Sequence, residues 1–286
     1  MNVTRRLASF FAVSLSLLLF VSPVRAEEGK GWDNQFQSQI HAWMDAIALR
    51  DSQFKQWKNA QVDVQTLGAG QHQWLVSVSK SGQQVGYMVV GEAPSAKGAV
   101  SFVLLEYGVG EYILFDDAFA PRQIAAEPVY DGFASHWLIT HNPSTQMVNA
   151  KTGESYPAEF EASEPVMSAL APDELVHDSQ QLTQTRILRP TETSPFDQIG
   201  WVHELNAGDD VSWAQLWQTK GSTPVTLTVP LHHSQVLAPF VVGSLHLWND
   251  QYPYVGVWDE GLRFVPYSYA HKVGQFHVNE TSSPAE

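Results

Sequence analysis

The stretch HQWLVSVSKSGQQVGYMVVG, His72 to Gly91, decides the fold class. Two strand-like runs, HQWLVSVS and QVGYMVVG, flank a Lys-Ser-Gly turn, and that arrangement reads as an antiparallel hairpin. Its neighbours carry the same character. Upstream, QVDVQTL (Gln61–Leu67) alternates around Val62 and Val64. Downstream, AVSFVLLEYG (Ala99–Gly108) and EYILFDD (Glu111–Asp117) continue as strands, separated by Gly108 and Gly110. SHWLITHNPSTQMVNAKTGE then predicts a second hairpin: Trp137 to Thr140, a turn at HNPST, and Met147 to Ala150. In MVNAKTGESYP, Thr152 and Gly153 favour a tight turn, with Gly153 free to take positive φ. The expected role of that turn is to close a structural unit.

Ahead of the strands the period changes. In GWDNQFQSQIHAWMDAIALRD (Gly31–Asp51), Phe36, Ile40, Trp43, Met44 and Ile47 recur at helical spacing, placing one apolar stripe on a helix. Asp33 is the expected N-cap. A second short helix, capped by Asp51 or Ser52, carries Phe54 and Trp57 on one face. A helix followed by a run of antiparallel strands gives an α+β fold with the helix lying across one face of the sheet.

The second half is mostly β. EFEASEPVMSALAPDELVHDS (Glu159–Ser179) is acidic and begins like a linker, so a boundary is expected near Pro157, dividing residues 27–157 from 158–286. DDVSWAQLWQT predicts a short helix behind an Asp209 cap. VLAPFVVGSLHLWNDQYPYVGVWDEGLRFVPYSYA is read as a β-meander over residues 236–267, with turns at NDQ and DEG.

Residues 1–26 read as a secretory signal: Arg5 and Arg6, then an apolar run from Leu7 to Val21, then SPVRA ending at Ala26. The expected destination is extracellular, with cell-wall association as one variant and no membrane attachment after cleavage. The chain has no cysteine, which excludes disulfides, thiol nucleophiles and cysteine-ligated zinc. Its formal net charge is −14; removing the three basic residues of the signal leaves 13 basic against 30 acidic, or −17. Nucleic acid and anionic lipid are poor partners for such a surface. Charged residues make up only 16%, against roughly 25% in ordinary domains. Below about pH 4 the carboxylates lose charge and few basic groups remain to repel one another, so tolerance of acidic surroundings is an expectation.

The order helix, hairpin, closing turn resembles the propeptide-like, PepSY-like modules of secreted proteins of Gram-positive bacteria, which accompany exported peptidases. Three segments carry the resemblance over Trp32 to Pro157. SKSGQQVGYMVVGEA is similar to the family hairpin, whose second strand carries Gly-Tyr. VYDGFASHWLI is similar to the segment leading into the final hairpin. VNAKTGE matches the family's Asp-Ala-x-Thr-Gly-Glu ending, with Asn149 in the Asp position. YPYVGVWDEGLRFVPY also looks like a closing element of similar secreted proteins. The resemblance implies binding, inhibitory or chaperoning roles and supplies no catalytic residues.

Motifs for chemistry are sparse. There is no Gly-x-Ser-x-Gly elbow, no His-Glu-x-x-His and no calcium loop. Ser77 precedes Lys80 by three, as in Ser-Lys hydrolases, but on a strand such a pair points to opposite faces. His232 and His233 neighbour each other in LHHS, and one of them would meet His246 if their strands were adjacent. Asp116/Asp117, Asp209/Asp210 and Asp259/Glu260 are sequence neighbours in turns, a poor arrangement for two carboxylates facing across a cleft. The expectation is a secreted, non-catalytic binding protein without metal or cofactor, engaging an exported peptidase or a peptide at a sheet edge or helix face. The alternative is binding of cell-wall polysaccharide through exposed tryptophans, with Trp248 and Trp258 as the candidate ligand surface. A hydrolase is the third reading, and it requires carboxylates or histidines from distant segments to converge in one cleft.

Overall fold

Ser81 and Gly82 take φ of +53° and +79°, the left-handed pair that closes a two-residue type I′ hairpin. They join β2 (Gln73–Lys80) to β3 (Gln83–Pro94) in antiparallel register. The computed structural model describes residues 24–94, 100–111, 113–116, 118–120, 126–141, 144–162, 165–177, 179–197, 202, 211–221 and 223–278.

Helix α1 (Val24–Arg50) precedes a 3-10 turn, Ser52–Trp57, and β1 (Gln61–Leu67). After the hairpin come β4 (Val100–Val109), β5 (Ala126–Val129), β6 (His136–His141) and β7 (Ser144–Asn149). Then follow the single-turn helix α2 (Val166–Ala169), β8 (Leu182–Ile187) and helix α3 (Trp213–Gln218). The chain continues with β9 (Val225–Leu231), β10 (Val236–Trp248), β11 (Tyr252–Trp258) and β12 (Leu262–Pro266), and ends with helix α4 (Tyr267–Val273) and β13 (Gln275–Val278).

Ten strands form one sheet in the order β1-β2-β3-β4-β12-β11-β10-β9-β13, with β8 also pairing β10. All its pairings are antiparallel. Strands β5-β6-β7 form a second, three-stranded sheet. The predicted meander is present as β10, β11 and β12, with turns at Asn249–Gln251 and Asp259–Gly261. The sheet does not break at Pro157: β4 from before it pairs with β12 from after it, Leu262 opposite Val109 and Phe264 opposite Tyr107.

Both faces of the large sheet are covered, which explains why its strands read as nearly continuous apolar runs. Successive residues alternate between two cores. Val76, Met88, Val90, Phe102 and Leu104 face one side, where the α1 stripe Phe36, Ile40, Trp43, Met44 and Ile47 packs with Phe54 and Trp57. Leu75, Val89, Val103 and Leu105 face the other, against residues of the small sheet and α4. Ile40, Trp43 and Ile47 are fully buried, and each such side chain contributes roughly 1.5–3 kcal/mol.

Several local expectations need correction. Helix α1 begins nine residues before Asp33, so Asp33 lies within it and is no cap. Asp51 does cap the following turn, its carboxylate accepting from the Gln53 amide at 2.9 Å. The stretch Ile113 to Phe115 is buried but is not a strand: Phe115 adopts φ +59° and its amide donates to the Ala150 carbonyl. Ser212, not Asp209, caps α3, and its side chain and Gln215 form a reciprocal capping box. Asp209, Asp210 and Asp117 lie outside the described residues.

Candidate functional site

A cavity of about 240 Å³ lies between the turn after β7, the β9–β10 hairpin and the β11–β12 turn. Part of the lining is apolar: Leu231, Val236, Ala238 and Phe240, with Leu114 and Phe133, over whose ring the Arg263 guanidinium lies 5.3 Å from the centroid. The polar wall is formed by Asn149, Lys151, Thr152, Glu154, Tyr156, Asp259 and Arg263. Thr152 and Glu154 are exposed, so the cavity opens there.

The polar wall is built from a turn and a strand. Asn149 ends β7 and holds the turn from its own side chain: Oδ1 accepts from the amides of Lys151 at 2.8 Å and Thr152 at 3.0 Å, as turn-flanking Asn does. Gly153, at φ +71°, lets the chain fold back so that its amide reaches the Asn149 carbonyl and the Tyr156 amide reaches that of Met147. The closing turn read from the sequence is therefore present, and the same turn supplies a cavity wall. Asn149 Nδ2 donates to Tyr156 Oη at 2.7 Å.

Lys151 is 6% exposed. Its ammonium donates to the carbonyls of Asp259 and Glu260 in the β11–β12 turn, tying the small sheet's turn to the large sheet. Burial lowers its pKa below the usual lysine range, against the opposing pull of Asp259. Burial also pushes Asp259 upward, but Lys151 and Arg263 together outweigh it and hold this carboxylate below its ordinary range. Arg263 is the second residue of β12 and is 2% exposed. It donates Nη1 to Asp259 Oδ2 at 2.7 Å, Nε to Glu106 Oε1 at 3.0 Å, and Nη2 to Glu106 Oε2 at 2.8 Å and the Gly132 carbonyl at 3.1 Å. Glu106, in β4, also accepts from the hydroxyls of Tyr87 and Tyr130. Burial drives the pKa of both phenols far above the usual range, so both stay protonated donors.

A second buried polar chain lies on the α1 side of the sheet. Trp248 Nε1 donates to Tyr107 Oη at 3.3 Å, Tyr107 Oη meets His246 Nδ1 at 2.8 Å, and His246 Nε2 meets Asp51 Oδ2 at 2.9 Å. With Tyr107 donating onward and His246 neutral, protonated on Nε2, every link in that chain has one donor and one acceptor.

These contacts relocate the residues singled out in the sequence. Trp248 is 0% exposed. It cannot form part of an exposed ligand surface, because it is packed inside the core on the α1 side of the sheet. Trp258 is half-buried, and its indole N–H is engaged by the Arg189 carbonyl. His232 and His233 sit in the β9–β10 turn with positive φ, whereas His246 belongs to the Asp51 chain, so the three do not converge. Lys80 Nζ binds the carbonyls of Lys58 and Asn59 and not Ser77. Asp259 and Glu260 form the predicted turn, and Asp259 adds a cavity contact that turn chemistry alone did not predict. Sequence reasoning missed Glu106 and Arg263. Their signal was a single charge inside each of two apolar runs, FVLLEYG and LRFVP, since a charge in a buried strand needs a partner. Among the described residues no group of three or more His, Asp or Glu is arranged to hold a metal, and no helix is long and apolar enough to cross a membrane.

Comparison with protein families, curated proteins and solved structures found no match.

Proposed function

We propose that the chain is a secreted, non-catalytic binding protein that receives a peptide segment, free or on an exported peptidase, in the cavity beside the β7 turn. The observation that carries this reading is a concave site lined by both apolar and hydrogen-bonding side chains, the composition expected of a ligand pocket. The charges on the polar wall hold one another in place, which suits a pre-formed site. At about 240 Å³ the cavity falls below the roughly 300–1,000 Å³ of drug-sized sites, which favours one or two residues over a long chain. The likeness of the helix, hairpin and closing turn to PepSY-like modules supports the same reading.

Titration of isotope-labelled protein with short peptides tests it. Shifts confined to Asn149, Lys151, Tyr156 and Phe240, and abolished in Ala238→Trp with an unchanged circular dichroism spectrum, are the expected result. Uniform silence at those residues across a diverse peptide set ends the proposal.

A second reading, binding of wall polysaccharide, is favoured by a different surface from the one first suspected. Trp213 and Trp217 are half-buried on α3, with ring centroids 5.4 Å apart, and Tyr267 lies 5.5 Å from Trp213. Retention on purified cell wall that is unchanged in Trp213→Ala/Trp217→Ala removes it.

A further inference from the structure

Hydrogen-bond donors on the polar wall outnumber the partners they have found. A guanidinium carries five N–H groups, an ammonium three and a carboxamide two. Arg263 engages four of its five, leaving one on Nη1. Lys151 engages two of three through its ammonium. Asn149 engages one N–H of Nδ2, with Tyr156 Oη as acceptor, so the Tyr156 O–H is itself left to donate. Four donors on cavity-lining residues thus lack a partner among the described residues. Of the acceptors beside them, Asn149 Oδ1 takes two amides, Asp259 Oδ2 takes Arg263, and the Ser135 hydroxyl accepts from the Asp131 amide and donates to the Gly132 carbonyl, while the carboxylate of Glu154 is exposed to solvent.

Such a wall fits a group with several lone pairs and no donors of its own. A carboxylate has two oxygens and about four acceptor positions, and hydrogen bonds from cationic donors to it are among the stronger kinds. Leu231, Val236, Ala238 and Phe240 line the same cavity and require an apolar body directly attached to that anion. The cavity's size limits this body to about one side chain. At the mouth, Glu154 is exposed, while Asp259 on the polar wall is paired with Arg263 at 2.7 Å, and Lys151 and Arg263 together offset its charge. Glu154 repels a second carboxylate and favours a basic residue further along the ligand, as does the chain's net charge of −14.

We infer that the cavity captures the free C-terminal end of a peptide, its α-carboxylate on the Asn149–Lys151–Tyr156–Arg263 wall and its apolar last side chain against the β9–β10 hairpin. Terminal-carboxylate capture is an established mode of peptide recognition. The inference rests on the peptide-binding reading above and narrows it to one end of the ligand.

Calorimetric titration separates the two claims. The probes are an N-acetylated Lys-Ala-Leu tripeptide with a free carboxylate, the same peptide as its C-terminal amide, and 4-methylpentanoate. The expected order is acid tightest, the amide roughly tenfold or more weaker, and 4-methylpentanoate weaker than the acid because it lacks the basic residue. Lys151 anchors a turn and its variants risk unfolding, so Tyr156→Phe, at a half-buried residue, is the test variant. It weakens the acid several-fold and leaves the amide unchanged. Equal binding of acid and amide, or an equal effect of Tyr156→Phe on both, overturns the inference while the peptide-binding reading survives. Binding of 4-methylpentanoate as tight as that of the acid also overturns it, because the occupant is then an alkyl carboxylate. No binding by any of the three sinks the inference and the broader reading together when the labelled protein is also silent to the diverse peptide set.

Discussion

Arg263 and Glu106 are almost wholly removed from water, at 2% and 0% exposure. Burying two charges costs several kcal/mol per ion before their attraction is counted, and a pair of this kind often contributes little net stability. Removing one partner is a different matter, because it strands the other charge in the interior. Arg263→Met leaves Glu106 with only the two tyrosine hydroxyls as partners, and Asp259 with Lys151 as its remaining cation. It is expected to cost about 3–5 kcal/mol. The double variant Glu106→Gln/Arg263→Met, which removes both charges, is expected to recover a large part of that loss. Urea midpoints at unchanged m give both values. A double variant as damaged as the sum of its singles would show that the two residues act independently.

At the scale of the element, α1 illustrates how packing outranks hydrogen bonding. Trp43 is 0% exposed, and its indole N–H has no hydrogen-bond partner among the described residues. The ring is held by contact alone, with the buried N–H as a standing cost. Trp43→Phe removes that N–H along with some volume, so its net effect is expected to stay below about 1.5 kcal/mol. Trp43→Ala is expected to cost about 3–5 kcal/mol. Thermal or urea unfolding distinguishes the two; a similar loss in both variants would mean that the N–H has a partner in solution. This stripe was legible in the sequence, as were the Ser81–Gly82 hairpin, the Asp51 cap and the β10–β12 meander, because each is written in residues close together along the chain. The pairing of β4 with β12 was not legible, since it joins residues about 155 apart and antiparallel strands carry no local mark of a distant partner. The cavity was hidden for the same reason: Asn149, Phe240 and Arg263 meet only once both sheets are assembled. Trp248 was misplaced because a tryptophan beside a turn looks the same in sequence whether it points into the core or out to solvent. The start of α1 was missed because Asp33 resembles a cap and nothing nearby in the sequence contradicts it.

Across the whole molecule, the shared sheet and the buried titratable groups set how it responds to denaturants and to acid. Because β4 and β12 lie side by side and core residues from both halves pack together, a fragment ending at residue 157 would expose the β4 edge and an apolar face. Residues 27–157 alone are expected to lack dispersed amide resonances, and the full chain to unfold in one transition by fluorescence and circular dichroism; a folded fragment or two separated transitions would contradict this. Acid acts through a different balance. The sparse, mostly acidic surface charge predicts tolerance, since protonation relieves repulsion. The buried groups argue the other way. Burial pushes Asp51 upward, but His246 and Gln53 outweigh it and hold its pKa below the ordinary 3.8. Asp259 is likewise held low. A carboxylate depressed in the folded state adds stability that is present above its unfolded pKa and lost as pH falls through the folded one. His246 is lowered by burial against the pull of Asp51, so below about 6.5 the unfolded chain takes up the proton more readily and stability declines. Asp131 and His136 oppose this trend. Burial raises Asp131; burial lowers His136, but Asp131 outweighs it, and the net shift of both is upward. Raised groups favour the folded state on the acid side, and the His136 contribution is lost as pH rises through its folded value. The depressed carboxylates titrate last, so they govern the lowest pH range. The urea midpoint is therefore expected to be lower at pH 3 than at pH 7, with the part of the fall between pH 7 and pH 5 reduced in His246→Gln. A midpoint at pH 3 equal to or above that at pH 7 would show that relief of surface repulsion outweighs the buried carboxylates.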